Sequence, residues 1–534
     1  MQKENSVYEA LEIKNDKIAR VGGNDDILQN KKPDSIVIDL KGHTVIPGLI
    51  DTHTHFLAAA LSELKETLAN PSTIQELLDY IKEKTEILGK GKWIYIGNVY
   101  PLRLSEKRFP TIEELDKVSP DNPVFIDAAY ASQVNSKALQ IAKLNEKSII
   151  SAGRLCKDKV TGKLNGMLLG CGELVKKYIP FPQYTKQEMV KAFLVLQEKY
   201  LKLGITSIVE AFTTENAIDL YNEMYENGIL HIRTVYTKVP NNTNTYNSEE
   251  FENYFKSVKI PSKWGKPGFI KLFLDGGFLT GTAYMKKSFS RGYKFLDTDE
   301  NFRGIINYNK DELIYWIEKA LENNLQMTAH CTGNASLEVL LSAYEEVNKR
   351  QSINGKRFTV IHGNFVNKEA LLKIKSLGII LISQPAWHYM DSLALSEIMD
   401  KETMATFLPY KDILNAEVIA AGGSDHMIKH DSIESVNPYN PFIGIYNLVT
   451  RHEKSGVEIL GEQRISPFEA MKMYTANAAY LTFDEDKKGT LEEGKLADLV
   501  VLSKDIYSCP YEEIKNIESE MTMVGGEIIY NSRI

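Results

Sequence analysis

The sequence is poor in cysteine, has no long apolar run and carries no excess of positive charge. Its four cysteines, Cys156, Cys171, Cys331 and Cys509, are far apart and form no CxxC motif. This usage indicates free thiols in a reducing compartment rather than a disulfide framework. No apolar run approaches the roughly 18 residues that a membrane span needs. The formal net charge of −8 argues against nucleic acids and anionic membranes as partners, because both attract basic surfaces.

The composition is otherwise that of a globular protein. With 43% hydrophobic and 25% charged residues, a chain of 534 residues can bury a large core without disulfides. The first thirty residues carry charges throughout and contain no apolar core of a signal peptide. We therefore expect a cytoplasmic protein.

Both ends of the chain have the pattern of short antiparallel strands. The alternation of apolar and polar residues predicts a hairpin at residues 10–22, a strand at 499–502 and a hairpin at 521–530. Neither end has enough strands for a stable sheet of its own. We therefore predict that residues 1–46 and 485–534 form one small β-sandwich domain.

The middle of the chain, residues 47–484, alternates strand patterns with amphipathic helix patterns. The strands are predicted in the opening stretch at residues 45–56 and then at 205–210, 231–235, 269–274, 325–330, 358–363, 378–383 and 418–422. Eight strands alternating with helices predict an α/β fold, a (β/α)₈ TIM-type barrel. Residues 61–182 lack this rhythm and include a turn-rich stretch at 157–170, so we predict a subdomain inserted after the first strand.

Polar residues fall at the ends of these strands, where barrel enzymes hold their active sites. His53 and His55 project from the same face of the first strand and can share a cation. Such a pair also occurs where one histidine lies in the core and the other in a loop. The matching positions on other strands hold Lys271 (fourth), His330 (fifth), His362 (sixth) and Asp425 (eighth). Six such residues on one rim favour a metal site.

These motifs resemble the amidohydrolase superfamily of metal-dependent hydrolases, in the branch that includes N-substituted formamide deformylases. The matching motifs are Pro-Gly-Leu-Ile-Asp-Thr-His-Thr-His at 47–55, Lys271 to Gly276 with Thr282-Ala283, His330 to Ala335, Ile361-His362 with Gln384-Pro385, Gly423 to Asp425, and residues 489–501. They span nearly the whole chain. The resemblance implies hydrolysis of a C–N bond in an amide-like small molecule, such as an N-formyl, N-acyl or cyclic amide.

The resemblance also implies a role for each rim residue. His53, His55 and Asp425 would bind one divalent metal ion, His330 and His362 a second, and Lys271 would bridge the two. An ammonium group would be repelled by two cations, so Lys271 is expected to be carboxylated by CO₂, which a lowered amine pKa favours. Zinc is the expected metal. Asp425 would be the catalytic general acid and base.

Substrate contacts are expected from residues of the rim and the insertion that are not metal ligands, namely Gln384, His388, Tyr100 and Trp387. The aromatic residues of the rim suggest an apolar or aromatic ligand. A homo-oligomer, namely a dimer with two-fold symmetry, is the expected assembly.

Two positions depart from the family pattern. Asn334 stands where an aspartate is usual after the strand-five histidine, so the groups around the metal ligands differ. The stretch from Ala129 to Gln133 lacks a histidine that the pattern often carries, which indicates a different substrate.

Two other functions remain open. The first is a deaminase-type hydrolase of the same superfamily that uses one metal ion and in which Lys271 is only structural. The second is a non-catalytic regulatory or binding protein on the same scaffold, which a complete ligand set argues against. Metal content per chain separates the first from a two-metal enzyme.

Overall fold

The computed structural model describes residues 7–65, 69–240, 263–289, 293, 301–428 and 438–532. At its centre, eight parallel strands follow one another around a single sheet in chain order. These barrel strands are β1 (Leu49–Thr54), β2 (Ile205–Glu210), β3 (Arg233–Lys238), β4 (Gly265–Phe273), β5 (Gln326–Cys331), β6 (Thr359–His362), β7 (Ile380–Ser383) and β8 (Ala420–Gly422).

The first and last barrel strands meet at their carboxyl ends. The backbone N–H of Asp425 donates to the carbonyl of His53 at 2.7 Å, and the N–H of His55 donates to the carbonyl of His426 at 2.9 Å. The sheet is thereby almost closed, which confirms the predicted (β/α)₈ fold. Closure also brings two predicted metal ligands, far apart in the chain, to the same point on the rim.

Helices cover the outside of the barrel. Capping boxes begin three of them, formed by Thr185 with Glu188, by Asn309 with Glu312 and by Ser466 with Glu469. The helices of this part are Phe56–Ser62, Lys186–Lys202, Glu215–Glu226, Lys310–Glu322, Asn334–Arg350, Lys368–Ser376, Pro385–Ile398, Lys401–Met404, Tyr410–Asn415, Pro441–Thr450, Pro467–Met473 and Ala476–Leu481, with 3₁₀ turns at Phe278–Thr280 and Gly461–Gln463. No helix in the described part of the chain is long and apolar enough to cross a membrane.

The barrel interior below the rim is apolar. Side chains from seven strands and from the last barrel helix form one buried cluster: Ile50, Val209, Val235, Phe269, Ile361, Ile380, Ile382, Ala421, Ala478, Ala479 and Leu481. The polar residues of the rim therefore rest on a packed base, which holds them in fixed positions.

The insertion after β1 forms a sheet of its own. Its strands, in spatial order, are Ile94–Gly97, Val124–Asp127, Ala131–Val134, Leu164–Leu169 and Arg154–Lys157. Its helices are Ile74–Leu88, Ile112–Val118, Ser136–Ile141 and Glu173–Lys176, with a 3₁₀ turn at Pro101–Arg103. The stretch at 157–170, which the sequence suggested to be rich in turns, thus contains an interior strand of this sheet. The glycine at position 166 favoured a turn in the sequence interpretation, but it serves the strand: Gly166 lies at φ +84°, and a Cβ there would lie 2.2 Å from the carbonyl of Val134.

Both ends of the chain contribute to a small antiparallel structure. One sheet combines Glu527–Asn531, Ser519–Val524, Leu499–Leu502 and Val45–Pro47, and the hairpin Ala10–Lys14 with Lys17–Gly22 packs on it. The helix Asn24–Gln29 and the 3₁₀ turn Tyr511–Asn516 complete the described elements. The domain boundaries, 1–46 with 485–534 and 47–484 with its insertion at 61–182, stay a prediction. The four cysteines are free thiols, as predicted.

Candidate metal centre

The predicted ligands of the first metal ion converge on one carboxylate oxygen. The Nε2 atoms of His53 and His55 lie 3.2 and 3.3 Å from Oδ1 of Asp425. His362 lies beside them: one ligand atom each from His53, His362 and Asp425 fall within 4.8 Å of one another. These are distances at which several donors can surround a single cation.

The predicted ligands of the second ion face each other through two imidazole nitrogens. Nδ1 of His330 lies 2.8 Å from Nε2 of His362. The other nitrogens are committed as donors, His330 Nε2–H to the carbonyl of Gly276 at 3.1 Å and His362 Nδ1–H to Oε1 of Gln384 at 2.7 Å. Two lone pairs then point at each other, an arrangement that a cation between them stabilises.

The protonation states of these residues suit metal binding. Burial lowers the pKa of His53 to about 3 and that of His330 to about 4, and it lowers the pKa of His55 and His362 as well. Burial also acts to raise the pKa of Asp425, but hydrogen bonds with His53 and His55 hold it well below its usual range. At neutral pH the site therefore presents neutral imidazoles and one carboxylate, the forms in which these groups coordinate metals.

Lys271 lies within this cluster, as predicted. Its Nζ is 3.4 Å from Nε2 of His53, and the residue is 1% exposed. Burial lowers the pKa of its amine to about 8, against the opposing effect of Asp425 and Glu210. At pH 7 about a tenth of such an amine is unprotonated, far more than of an exposed lysine, and the unprotonated amine is the form that reacts with CO₂.

The backbone at two ligands adopts conformations that non-glycine residues rarely take. His362 has φ +74° and Asp425 has φ +54°. Such conformations cost about 1–3 kcal/mol each and cluster at functional sites. Gly423, two residues before Asp425, is also constrained, because a Cβ there would lie 2.7 Å from the backbone nitrogen of His53.

Asp275 is a structural partner of the site that the sequence interpretation did not single out. Its buried carboxylate accepts N–H groups from Thr332 at 2.9 Å and Gly333 at 2.7 Å and the hydroxyl of Ser336 at 2.6 Å. Burial raises its pKa to about 6. The bonds tie the end of β4 to the loop after β5 and so orient His330. The available signal was an aspartate placed between an apolar strand and two glycines.

Tyr130 reaches the site from the inserted subdomain, and the sequence interpretation missed its role. Its hydroxyl donates to Nδ1 of His330 at 3.1 Å, and its ring lies 4.9 Å from the imidazole, centroid to centroid. It belongs to the stretch that lacks the histidine of the family pattern. One of the two departures from the family pattern therefore lies beside the predicted metal ligands.

A cleft of about 140 Å³ separates the insertion from the barrel rim beside Tyr130. Asp275 and Gly276 line it on the side of the metal ligands. Asp127 and Lys176, paired at 2.9 Å, line it on the side of the insertion. Several of the residues that line the cleft are polar or charged, although the aromatic residues of the rim suggested an apolar pocket.

The four predicted substrate residues occupy different positions around the ligands. Gln384 bonds to His362, and the indole of Trp387 stacks on the same imidazole with ring centroids 4.7 Å apart. Tyr100 lies in the insertion, with the guanidinium of Arg103 5.2 Å from its ring centroid. His388 is 0% exposed and lies behind Trp387 in the same helix. Their roles as substrate contacts stay a prediction.

Asn334, the other departure from the family pattern, bonds to the backbone of a loop and not to a predicted metal ligand. Its Oδ1 accepts the backbone N–H of Lys286 at 2.8 Å, at the start of the helix Asn334–Arg350. The side chain thus holds the loop after β4 in place. A neutral amide is sufficient for that bond.

The donor set fits a divalent cation, because imidazole nitrogens and a carboxylate oxygen lie within 4.8 Å of one another. On a (β/α)₈ barrel rim such a cluster is typical of a metal-dependent enzyme. The chain belongs to the amidohydrolase family, whose model matches residues 36–530. The predicted resemblance is thereby confirmed.

Known proteins resemble the chain in sequence and in fold. The chain is 25% identical to the N-substituted formamide deformylase of Arthrobacter pascens over 540 residues, covering 98% of this chain and 95% of that protein. An uncharacterized metal-dependent hydrolase from Pyrococcus horikoshii OT3 superposes with a TM-score of 0.67 at 23% identity, over 94% of this chain and 95% of that one. One from Pyrococcus furiosus gives a TM-score of 0.64 at 23% identity, over 93% and 95%.

Proposed function

We propose that the protein hydrolyses a C–N bond in a small amide, namely an N-formyl, N-acyl or cyclic amide. The observation that carries the proposal is the convergence of His53, His55 and Asp425 on one point of the rim. The similarity to a formamide deformylase along almost the whole chain supports the choice of an amide bond. The cleft beside Tyr130 is of a size that suits a small molecule.

The proposed cofactors are two divalent zinc ions. His53, His55 and Asp425 would hold one, and His330 and His362 would hold the other. Such ions lower the pKa of a bound water and polarise a carbonyl. Lys271 would bridge them after its amine attacks CO₂, which forms an N–C bond and releases one proton. The single group of His53, His362 and Asp425 equally supports one ion, so the number of ions is part of the proposal.

Asp425 is the proposed general acid and base. Its carboxylate is held ionised by the hydrogen bonds from His53 and His55, so it can accept a proton at neutral pH. It would take the proton from the water that attacks the carbonyl carbon. It would then return that proton to the leaving nitrogen as the C–N bond breaks.

Three donors near His362 and His330 are proposed to orient the substrate carbonyl. Nε2 of Gln384 and the indole N–H of Trp387 are buried without hydrogen-bond partners in the described part of the chain. The hydroxyl of Tyr130 is the third donor, and it is placed to stabilise negative charge on the carbonyl oxygen as water adds.

The test is a hydrolysis screen of zinc-loaded protein against N-formyl, N-acyl and cyclic amides, with Asp425→Asn as the inactive variant. Loss of the general base is expected to lower kcat by about 10²–10⁴-fold. Asp219→Asn, on an exposed helix face, is the matched control and keeps wild-type rates. Absence of hydrolysis in the whole panel, or full activity of Asp425→Asn, contradicts the proposal.

Metal analysis and intact mass complete the test. Two ions per chain and a lysine heavier by one CO₂ support the two-metal enzyme. One ion with an unmodified Lys271 supports the deaminase-type alternative. A homodimer and a cytoplasmic location remain predictions, and light scattering of the purified protein tests the first.

A further inference from the structure

Arg451 is a fully buried cation without an acidic partner in the described part of the chain. The residue ends the helix Pro441–Thr450 and is 0% exposed. Its Nη2 donates weakly to the carbonyl of Phe407 at 3.5 Å. Its Nε and Nη1 have no hydrogen-bond partner among the described residues. The ring centroid of Tyr410 lies 5.6 Å from the guanidinium carbon.

The positive charge of Arg451 persists in spite of its burial. Burial lowers the pKa of the guanidinium to about 10, so the group remains protonated at neutral pH. Glu462 contributes an opposing field, but that residue is exposed at the surface. A buried, unpaired charge costs several kcal/mol, and buried donors in native proteins nearly always have partners. The buried charge and the two donors without partners among the described residues together point to a counter-charge close to Nε and Nη1.

The surroundings of Arg451 are polar and incompletely bonded. Asn447 lies one helical turn earlier and donates from Nδ2 to Nδ1 of His388 at 2.9 Å, so that imidazole is neutral. Ser392 lies one turn after His388 on the facing helix, Pro385–Ile398. The Oδ1 of Asn447 and the hydroxyl of Ser392 have no partners among the described residues. Polar groups with free bonding capacity therefore occur on both helices of this interface.

We propose that an inorganic monovalent anion, of the size of chloride, is bound between these two helices against Nε and Nη1 of Arg451. The anion neutralises the guanidinium and accepts its two free N–H donors. Because the facing helix begins directly after Gln384 and carries Trp387, the anion also fixes the elements that contact His362. Anion binding therefore stabilises the fold and the metal-binding side of the barrel together. This site is separate from the proposed hydrolysis and does not depend on it.

The first test is the melting temperature of the metal-loaded protein as chloride replaces gluconate at constant ionic strength. The expected result is a rise in Tm that saturates between about 1 mM and about 300 mM chloride, as for ligand binding to the native state. Bromide and nitrate should act similarly. A Tm that does not change with the anion overturns the proposal.

Two variants and a control locate the effect. Asn447→Asp places a carboxylate one helical turn from Arg451 and is expected to abolish the chloride dependence of Tm while the protein stays folded. Arg451→Met should also abolish it, and the first variant decides the matter if the second does not fold. Arg350→Met, at an exposed arginine paired with Glu318, should keep the wild-type response. Wild-type chloride dependence in both site variants contradicts the assignment.

Crystals grown in bromide give the direct answer. An anomalous peak within hydrogen-bond distance of Arg451 Nε or Nη1, absent in Asn447→Asp, supports the anion. A water molecule with no anomalous signal at that position overturns it.

Discussion

At the scale of single residues, the site is organised by hydrogen bonds to the nitrogens that do not face the cluster. The carbonyl of Gly276 and the amide oxygen of Gln384 each accept a hydrogen bond from one imidazole, so that the lone pairs lie on the opposite nitrogens, Nδ1 of His330 and Nε2 of His362. Metal affinity should therefore depend on residues that never touch the ion.

Replacing Gln384 tests this dependence. Gln384→Met removes the acceptor for His362 Nδ1–H, so the imidazole loses its fixed tautomer and orientation. Zinc affinity, measured by competition with a chelator, is expected to fall by about 10–100-fold. Gln351→Met, at an exposed position after a helix, is the control. Unchanged affinity in Gln384→Met contradicts the orienting role.

Tyr130 gives a second prediction at this scale. Tyr130→Phe removes a single hydroxyl 3.1 Å from His330 Nδ1. If that hydroxyl stabilises charge on the carbonyl oxygen, kcat should fall by about 10²-fold, with little change in KM and no loss of bound metal. Tyr178→Phe, elsewhere on the insertion, should behave as wild type. A loss of metal together with activity would instead assign Tyr130 to the structure of the site.

At the scale of elements, the chemistry depends on how closely β8 approaches β1. The loop after β8 passes so near to His53 that position 423 has no space for a side chain. Gly423→Ala should displace His53 or Asp425 by a few tenths of an ångström and cost about 1–3 kcal/mol of stability, as other overpacking changes do. Urea denaturation and metal content measure the two effects. Gly23→Ala, where a Cβ makes only an ordinary contact, should change neither.

The elements also show what a sequence can and cannot reveal. Most barrel strands carry an apolar run with a polar residue at its end or a few residues from it, and this local signal is sufficient to predict the eight strands and the six residues near the rim. Tyr130 and Asp275 act through partners on other elements. Their roles follow from packing between the insertion, β4 and β5, which no local pattern encodes. The strand that contains Gly166 was missed for a related reason, because the glycine is required by the close approach of a neighbouring strand and not by a local turn.

At the scale of the whole molecule, ion pairs connect the base of the barrel to the segment that leads into the terminal sheet. Asp484 accepts from Lys266 of β4 at 2.7 Å and lies 3.6 Å from Lys488. Burial acts to raise the pKa of Asp484, but the two lysines outweigh it, and the pKa in the folded protein is below the ordinary value.

The acid stability of the protein should therefore depend on Asp484. A carboxyl group with a lowered folded-state pKa stabilises the native state fully above its unfolded pKa of about 3.9. That contribution is lost as the pH falls through the lower folded value. The difference in urea midpoint between wild type and Asp484→Asn should be largest near pH 6 and shrink toward pH 3. The exposed neighbour gives the control, Asp486→Asn, and a constant difference across this range would rule out the linkage.

The meeting of His53 and Asp425 has a consequence for biosynthesis. The two residues lie at the ends of the first and last barrel strands. A nascent chain therefore cannot assemble the ion-binding centre until most of its length has been synthesised. Contacts between such distant segments form late in folding. Ion uptake should thus coincide with the completion of folding. A chelator should weaken the contact between β1 and β8 before it affects any other part of the barrel.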